Sequence, residues 1–181
     1  HRRAASRRPA GPTGLGDRLA LAGLMSVCAL LHLTLPEREP HGALYHGLGA
    51  LVDRLGDEMW GVSYVVWEIA LMKELGYALD FTRCAGGGSV DRLRYMSPKS
   101  GVAVSEEMGL IHKHKLLLLP EFLRSDPDLD MLGTDDDVMT GLAMTGYFLE
   151  HWVFNHHRGG VPDCRRVLVD RLGRAAAPSG E

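Results

Sequence analysis

From residue 19 to residue 35 the chain carries no charged side chain, and apolar positions fall on nearly every face of the helix such a run would form. Pro36 stops it. The pattern predicts a core helix at the centre of a bundle, capped by Asp17. Pro40 suits the first turn of a second helix, where a missing N–H is harmless. In that helix Leu44, Leu48, Leu51, Val52 and Leu55 share one face, and Gly56 marks its end. A third helix is predicted over about 62–75. Val62, Val65, Ile69, Met72 and Leu75 form its stripe, Trp67 and Leu71 widen the apolar surface, and Gly76 can take the left-handed conformation that closes a helix. Three helices joined by short links argue for a helical bundle.

The period then changes. Cys84, Ala85, Gly86, Gly87 and Gly88 read as a turn, and 93–96 and 102–104 as short strands around the turn residues 97–101. Together they predict a β-hairpin insert over about 81–108. An apolar run over 116–119 ends at Pro120, and Asp126, Asp128 and Asp130 mark an exposed loop. Thr134 followed by Asp135, Asp136 and Asp137 is a helix start, a capping hydroxyl with acids in the positive first turn. That helix carries Val138, Leu142, Thr145, Leu149 and Trp152 on one face. Pro162 opens a last helix with Val167, Leu168 and Leu172. Residues 1–15, rich in Arg, Ala, Gly and Pro, read as a flexible tail or linker, and 16–181 as one domain.

Composition narrows the class. With 181 residues, 45% hydrophobic, the chain can bury a core. A net charge of -3 is not that of a basic nucleic-acid binder. The charge is uneven, however: arginines gather at both ends, at Arg2, Arg3, Arg7 and Arg8 and again from Arg158 to Arg174, with aspartates between. Three scattered cysteines favour a reducing cytoplasm over a disulfide framework. The uncharged run behind an arginine-rich start resembles a signal peptide or short membrane span. It is at the short limit for a bilayer, contains Ser26, His32 and Thr34, and lacks a small-residue cleavage site, so the core-helix reading is preferred.

Chemistry-bearing patterns are sparse. Cys84 begins half of a Cys-x-x-Cys pair, and the place for a second pair beyond the hairpin holds Ser105 and Met108. Tetrahedral zinc would have too few donors there. Gly86–Gly88 lacks the lysine and helix of a phosphate loop. No Gly-x-Ser-x-Gly is present; Cys28 is expected to be buried packing, and Cys164 beside Arg165 and Arg166 has no base assigned by spacing. On the hairpin, Arg92, Arg94 and Lys99 are expected to cluster with Tyr95 as a stacking ring, a pattern suited to single strands or phosphates.

Several strings are specific. Residues 35–40 read Leu-Pro-Glu-Arg-Glu-Pro; 74–84 read Glu-Leu-Gly-Tyr-Ala-Leu-Asp-Phe-Thr-Arg-Cys; 95–101 read Tyr-Met-Ser-Pro-Lys-Ser-Gly; 117–123 read Leu-Leu-Leu-Pro-Glu-Phe-Leu; and 142–151 form a late helix. In this order and spacing, over most of the chain from about 19 to 172, they resemble the helical C-terminal part of RecO, a bacterial recombination mediator family. The resemblance implies recombinational DNA repair. It implies binding of the acidic tail of the single-strand-binding protein, partnership with RecR, assistance in loading RecA, strand annealing, and no turnover of a substrate. The family's N-terminal OB-fold, its main contact for single- and double-stranded DNA, is expected to be absent here, since no five-strand segment precedes Leu19. In zinc-bearing members four cysteines would fall at Cys84, Gly87, Ser105 and Met108; only Cys84 is a cysteine, so no zinc is expected.

The reading is therefore mainly α: a helical bundle with a small β-hairpin insert, a degenerate zinc ribbon, in a cytoplasmic, nucleoid-associated protein without a membrane partner. An acidic tail with an apolar end needs a hydrophobic groove between helices and arginines at its rim. Arg38, Arg165 and Arg166 are the expected rim cations, with Arg92, Arg94 and Lys99 as further partner or DNA contacts. No catalytic residue and no metal ligand is assigned. The alternative is a helical protein-interaction adaptor with no DNA role.

Overall fold

The computed structural model describes residues 14–36, 40–57, 59–124 and 133–176. Among these are six α-helices and a three-stranded antiparallel sheet. The helices are α1 (Gly14–Thr34), α2 (Gly42–Asp53), α3 (Trp60–Glu74), α4 (Glu106–Gly109), α5 (Asp135–Phe148) and α6 (Asp163–Ala176). The strands are β1 (Leu93–Met96), β2 (Ala103–Ser105) and β3 (Leu117–Leu118). The predicted class, mainly α with a small β insert, holds. None of the described helices is long and apolar enough to cross a membrane.

The central helix is α3, not α1. Trp60, Val62, Tyr64, Val65, Trp67, Glu68, Leu71 and Met72 are all buried, so α3 is enclosed on nearly every face. By contrast α1 exposes Leu21, Met25 and Leu33, and Cys28 is exposed rather than buried packing. Its apolar run covers one side of the bundle and leaves the other side open. Asp17 falls inside the first turn of α1, which starts at Gly14, and Pro40 lies ahead of α2, whose N-cap is His41.

Small residues set the helix spacing. A Cβ on Gly61 of α3 would lie 2.9 Å from Val138 of α5, and one on Gly141 of α5 would lie 3.0 Å from Val65 of α3. The two helices therefore approach backbone to side chain, which enlarges their van der Waals contact. The same face continues to Glu68 and Thr145, one turn further along each helix. Meanwhile α6 runs back along α1, with Cys164 beside Met25 and Arg171 donating to the Arg18 carbonyl at 3.3 Å. The start of α5 follows the sequence closely: Thr134 accepts from the Asp137 N–H at 3.2 Å. Gly56 (φ 89°) and Gly76 (φ 88°) close α2 and α3 in the left-handed conformation.

The hairpin forms where the alternation predicts it. β1 pairs with β2 through Tyr95↔Val104 and Met96↔Ala103, with a bulge at Arg94. The run over 116–119 adds something the pattern does not reveal: β3 pairs on the other side of β1, Tyr95↔Leu118. After Phe148 the helix widens to a π turn over Leu149–Val153, where the Phe154 N–H reaches the Leu149 carbonyl at 2.8 Å. This swings Trp152 over Gly101 at the hairpin tip, where a Cβ would meet the indole at 2.6 Å; Gly101 also has φ 64°. The indole is the clamp between bundle and sheet. The aspartate loop expected at Asp126–Asp130 lies outside the described residues.

Candidate binding surfaces

Four helices meet at a buried polar cluster. Glu68 is 0% exposed and Arg165 6% exposed. Arg165 Nε donates to Glu68 Oε1 at 2.6 Å, and its Nη2 donates to Glu68 Oε2 at 2.9 Å and to the Leu142 carbonyl at 2.9 Å. The Thr145 hydroxyl donates to Glu68 Oε2 at 2.5 Å. One turn back on α3, Tyr64 Oη shares a 2.6 Å hydrogen bond with Ser26 Oγ of α1. Burial opposes the charge on Arg165, but the Glu68 carboxylate outweighs it and raises the guanidinium pKa above its ordinary value. Burial first, and then the nearby Glu68 carboxylate, push the Tyr64 phenol well up. A Cβ on Gly146 would lie 2.9 Å from Arg165 Nη1, so the missing side chain there gives the guanidinium its room. The cluster ties α1, α3, α5 and α6 together and is sealed from solvent.

Arg165 is thus an interior residue, not the rim cation the sequence suggests. A signal for it exists: Glu68 is the one charge in 60–72, on an apolar helix, and a buried carboxylate requires a cationic partner. Arg166 is exposed and bonds Asp163 Oδ1 at 2.9 Å on its own helix. Arg38 lies outside the described residues. On the hairpin, Arg92 sits before β1 and Lys99 in the turn after it, so they stand at opposite ends of a strand about 13 Å long and do not cluster. Arg94 lies 3.7 Å from Glu106. Tyr95 is buried, packed on Gly109, and offers no free stacking face.

The turn pair at the base of the hairpin has knuckle geometry. The Ser105 N–H donates to Cys84 Sγ at 3.2 Å, and the thiol lies 3.5 Å from Ser105 Oγ. Burial pushes the thiol pKa up, but hydrogen bonds from Ser105, Gly86 and Gly88 outweigh it and leave the thiol below its ordinary value. Such N–H···S bonds are what a metal-bound thiolate would receive. The other three corners, however, are Gly87, Ser105 and Met108, and the Met108 side chain lies across Gly86 and Gly88, 2.9 Å from a Cβ on either. One thiol with a hydroxyl and a thioether does not match the thiolate and imidazole donors of structural zinc. Among the described residues no group of three or more His, Cys, Asp or Glu could hold a metal ion.

A groove between α1 and α6 has the character sought for a tail receptor. Two adjoining hollows of about 300 and 200 Å³ run along it. Leu19, Ala22, Met25 and Val167 give it an apolar floor, Arg18, Arg171 and Arg174 line it, and the exposed Asp163 carboxylate stands at the end beside Met25 and Val167. The sequence groups Arg171 with a basic end but does not bring it to Arg18. That meeting depends on the antiparallel pairing of the first and last helices, 153 residues apart at the Arg171–Arg18 bond.

Comparison with known proteins finds relatives along most of the chain. The family model described as Recombination protein O C terminal matches residues 15–159. A DNA repair protein RecO of Rhodospirillum centenum is 44% identical over 168 residues, covering 92% of this chain and 66% of the relative. RecO of Caulobacter vibrioides is 44% identical over 167 residues, covering 91% and 68%. RecO of Cereibacter sphaeroides is 42% identical over 166 residues, covering 89% and 66%. The chain thus spans about two thirds of the length of these relatives. No solved structure matches it. A family model over most of the chain and relatives above 40% identity lead to one conclusion: the chain belongs to the RecO family of DNA repair proteins, matching its C-terminal region.

Proposed function

We propose that the chain is the docking part of a recombinational repair mediator and that its α1–α6 groove receives the acidic tail of a single-strand-binding protein. The supporting observation is the groove itself, an apolar floor with Arg18, Arg171 and Arg174 along it. An apolar chain end seats on the floor, while acidic residues before it meet the guanidinium groups, which favour planar carboxylate pairing. Through such contacts the protein works with RecR, assists RecA loading and promotes strand annealing in the cytoplasm at the nucleoid, with no substrate turned over. The enclosed state of Glu68, Arg165 and Tyr64 favours this reading over catalysis, since a reacting group has to be reached by substrate. The hairpin knuckle is held by packing and thiol hydrogen bonds, without zinc.

Binding of a fluorescent acidic peptide with an apolar C-terminus tests this. The parent chain is expected to bind it, more weakly as salt rises. Arg171→Glu and Val167→Asp are each expected to weaken binding at least about tenfold, the effect of about 1.4 kcal/mol. Equal binding by parent and both variants would remove the groove from consideration.

A further inference from the structure

We propose that the turn over 109–116 is a DNA wedge, with Ile111 entering a base step of a duplex while Lys113 and Lys115 hold the flanking phosphates. This rests on the repair reading above and adds a second contact surface to it. Ile111 is 80% exposed, more than any other large apolar side chain among the described residues, and its neighbour Leu110 is 60% exposed. The fold makes no use of either. The ends of the turn are anchored, because Gly109 packs on Tyr95 and the Leu116 side chain closes over Gly109. Between them the backbone folds on itself: the His112 N–H reaches the Gly109 carbonyl at 3.0 Å, and the Lys115 N–H reaches the His112 carbonyl at 2.8 Å. The apolar tip is therefore held out on a preformed turn. His112, Lys113, His114 and Lys115 come directly after it, all exposed, and no carboxylate interrupts 108–118. The exposed Glu106 and Glu107 precede the tip, so the positive charge lies on its C-terminal side alone, at Lys113 and Lys115.

An apolar tip with cations beside it fits two anionic surfaces. A lipid surface is usually gripped by a long amphipathic face, and two adjacent side chains on a tight turn present little of that. A base step accepts a single aliphatic wedge, and its phosphates lie where adjacent lysines reach. The geometry therefore favours DNA.

The test uses the whole chain with a short fluorescent duplex, read by anisotropy across a salt series and by end-to-end energy transfer for bending. The double variant Lys113→Gln, Lys115→Gln is expected to bind about tenfold more weakly and to lower the salt slope by about 2. Ile111→Ala is expected to keep that slope but to lose the bend. All three side chains are exposed, and unchanged melting temperatures would show that the variants fold. The wedge is overturned if the parent does not bind duplex, if the variants match the parent, or if the parent sediments with phosphatidylglycerol vesicles but leaves DNA unbent. Peptide binding in the α1–α6 groove is measured on the same samples. Intact peptide binding without the DNA effects sinks the wedge alone, and the reverse sinks the groove alone.

Discussion

Glu68 shows what one side chain can do to a bundle. Its carboxylate has no solvent, so its charge is held by Arg165 and Thr145. Truncating one partner of such a pair leaves an unpaired buried charge and destabilises by about 3–5 kcal/mol, whereas replacing both with apolar residues of similar volume is near neutral. Glu68→Ala is therefore expected to lower unfolding free energy by that amount in urea titration, and Glu68→Met with Arg165→Met to recover most of it. A single-variant loss below about 1 kcal/mol would mean that the latch holds little. Asp80 is the complementary case at the surface. The Thr82 hydroxyl and N–H, and then Arg83, hold its carboxyl below the ordinary aspartate value. With the folded value lower than the unfolded one, the group stabilises above about pH 4 and stops doing so as pH falls through the lowered value. The stability gap between the parent and Asp80→Asn, open at pH 7, is expected to close as acid unfolding is followed downward. A gap that widens in acid would contradict this. The contribution is modest because the carboxylate is partly solvated.

At the level of elements, local signals are legible where local chemistry decides. The Thr134 cap, the closing glycines 56 and 76 and the two hairpin strands all stand as the residues predict. The features that the pattern misses depend on partners distant in sequence. An uncharged helix reads as central, yet α1 lies at the edge of the bundle because α3, with its buried Glu68, fills the centre. The run ending at Pro120 pairs as β3 only because β1 presents a free edge. The knuckle element carries a prediction of its own. If packing and thiol hydrogen bonds hold Cys84 and Ser105 together, a strong chelator should leave the melting temperature unchanged, and the purified chain should carry well under one zinc per molecule by mass spectrometry. A melting temperature that falls with chelation would reverse that reading. The cations are the least legible residues. Arg92 and Lys99 are close in sequence but separated by a strand, while Arg18 and Arg171 are far apart in sequence yet bonded.

Across the whole molecule the two proposed surfaces belong to one body. α5 packs against α6 on one side and β3 on the other, so the groove and the turn over 109–116 sit on either side of it. The Glu68–Arg165 latch fixes α6 to α3, and the indole of Trp152 fixes the hairpin to the end of α5. The frame between the two proposed surfaces would hold their occupants at a set separation. The widened turn over Leu149–Val153 has a consequence for how this segment tolerates change in length. It amounts to one extra residue in the helix. Deleting a residue there would restore regular winding while leaving the chain beyond it close to its present direction, because the wide turn already absorbs the extra residue. A one-residue deletion here should therefore be tolerated far better than one within Asp135–Phe148, where the same cut would rotate everything beyond it by about 100° and carry Trp152 off the hairpin tip.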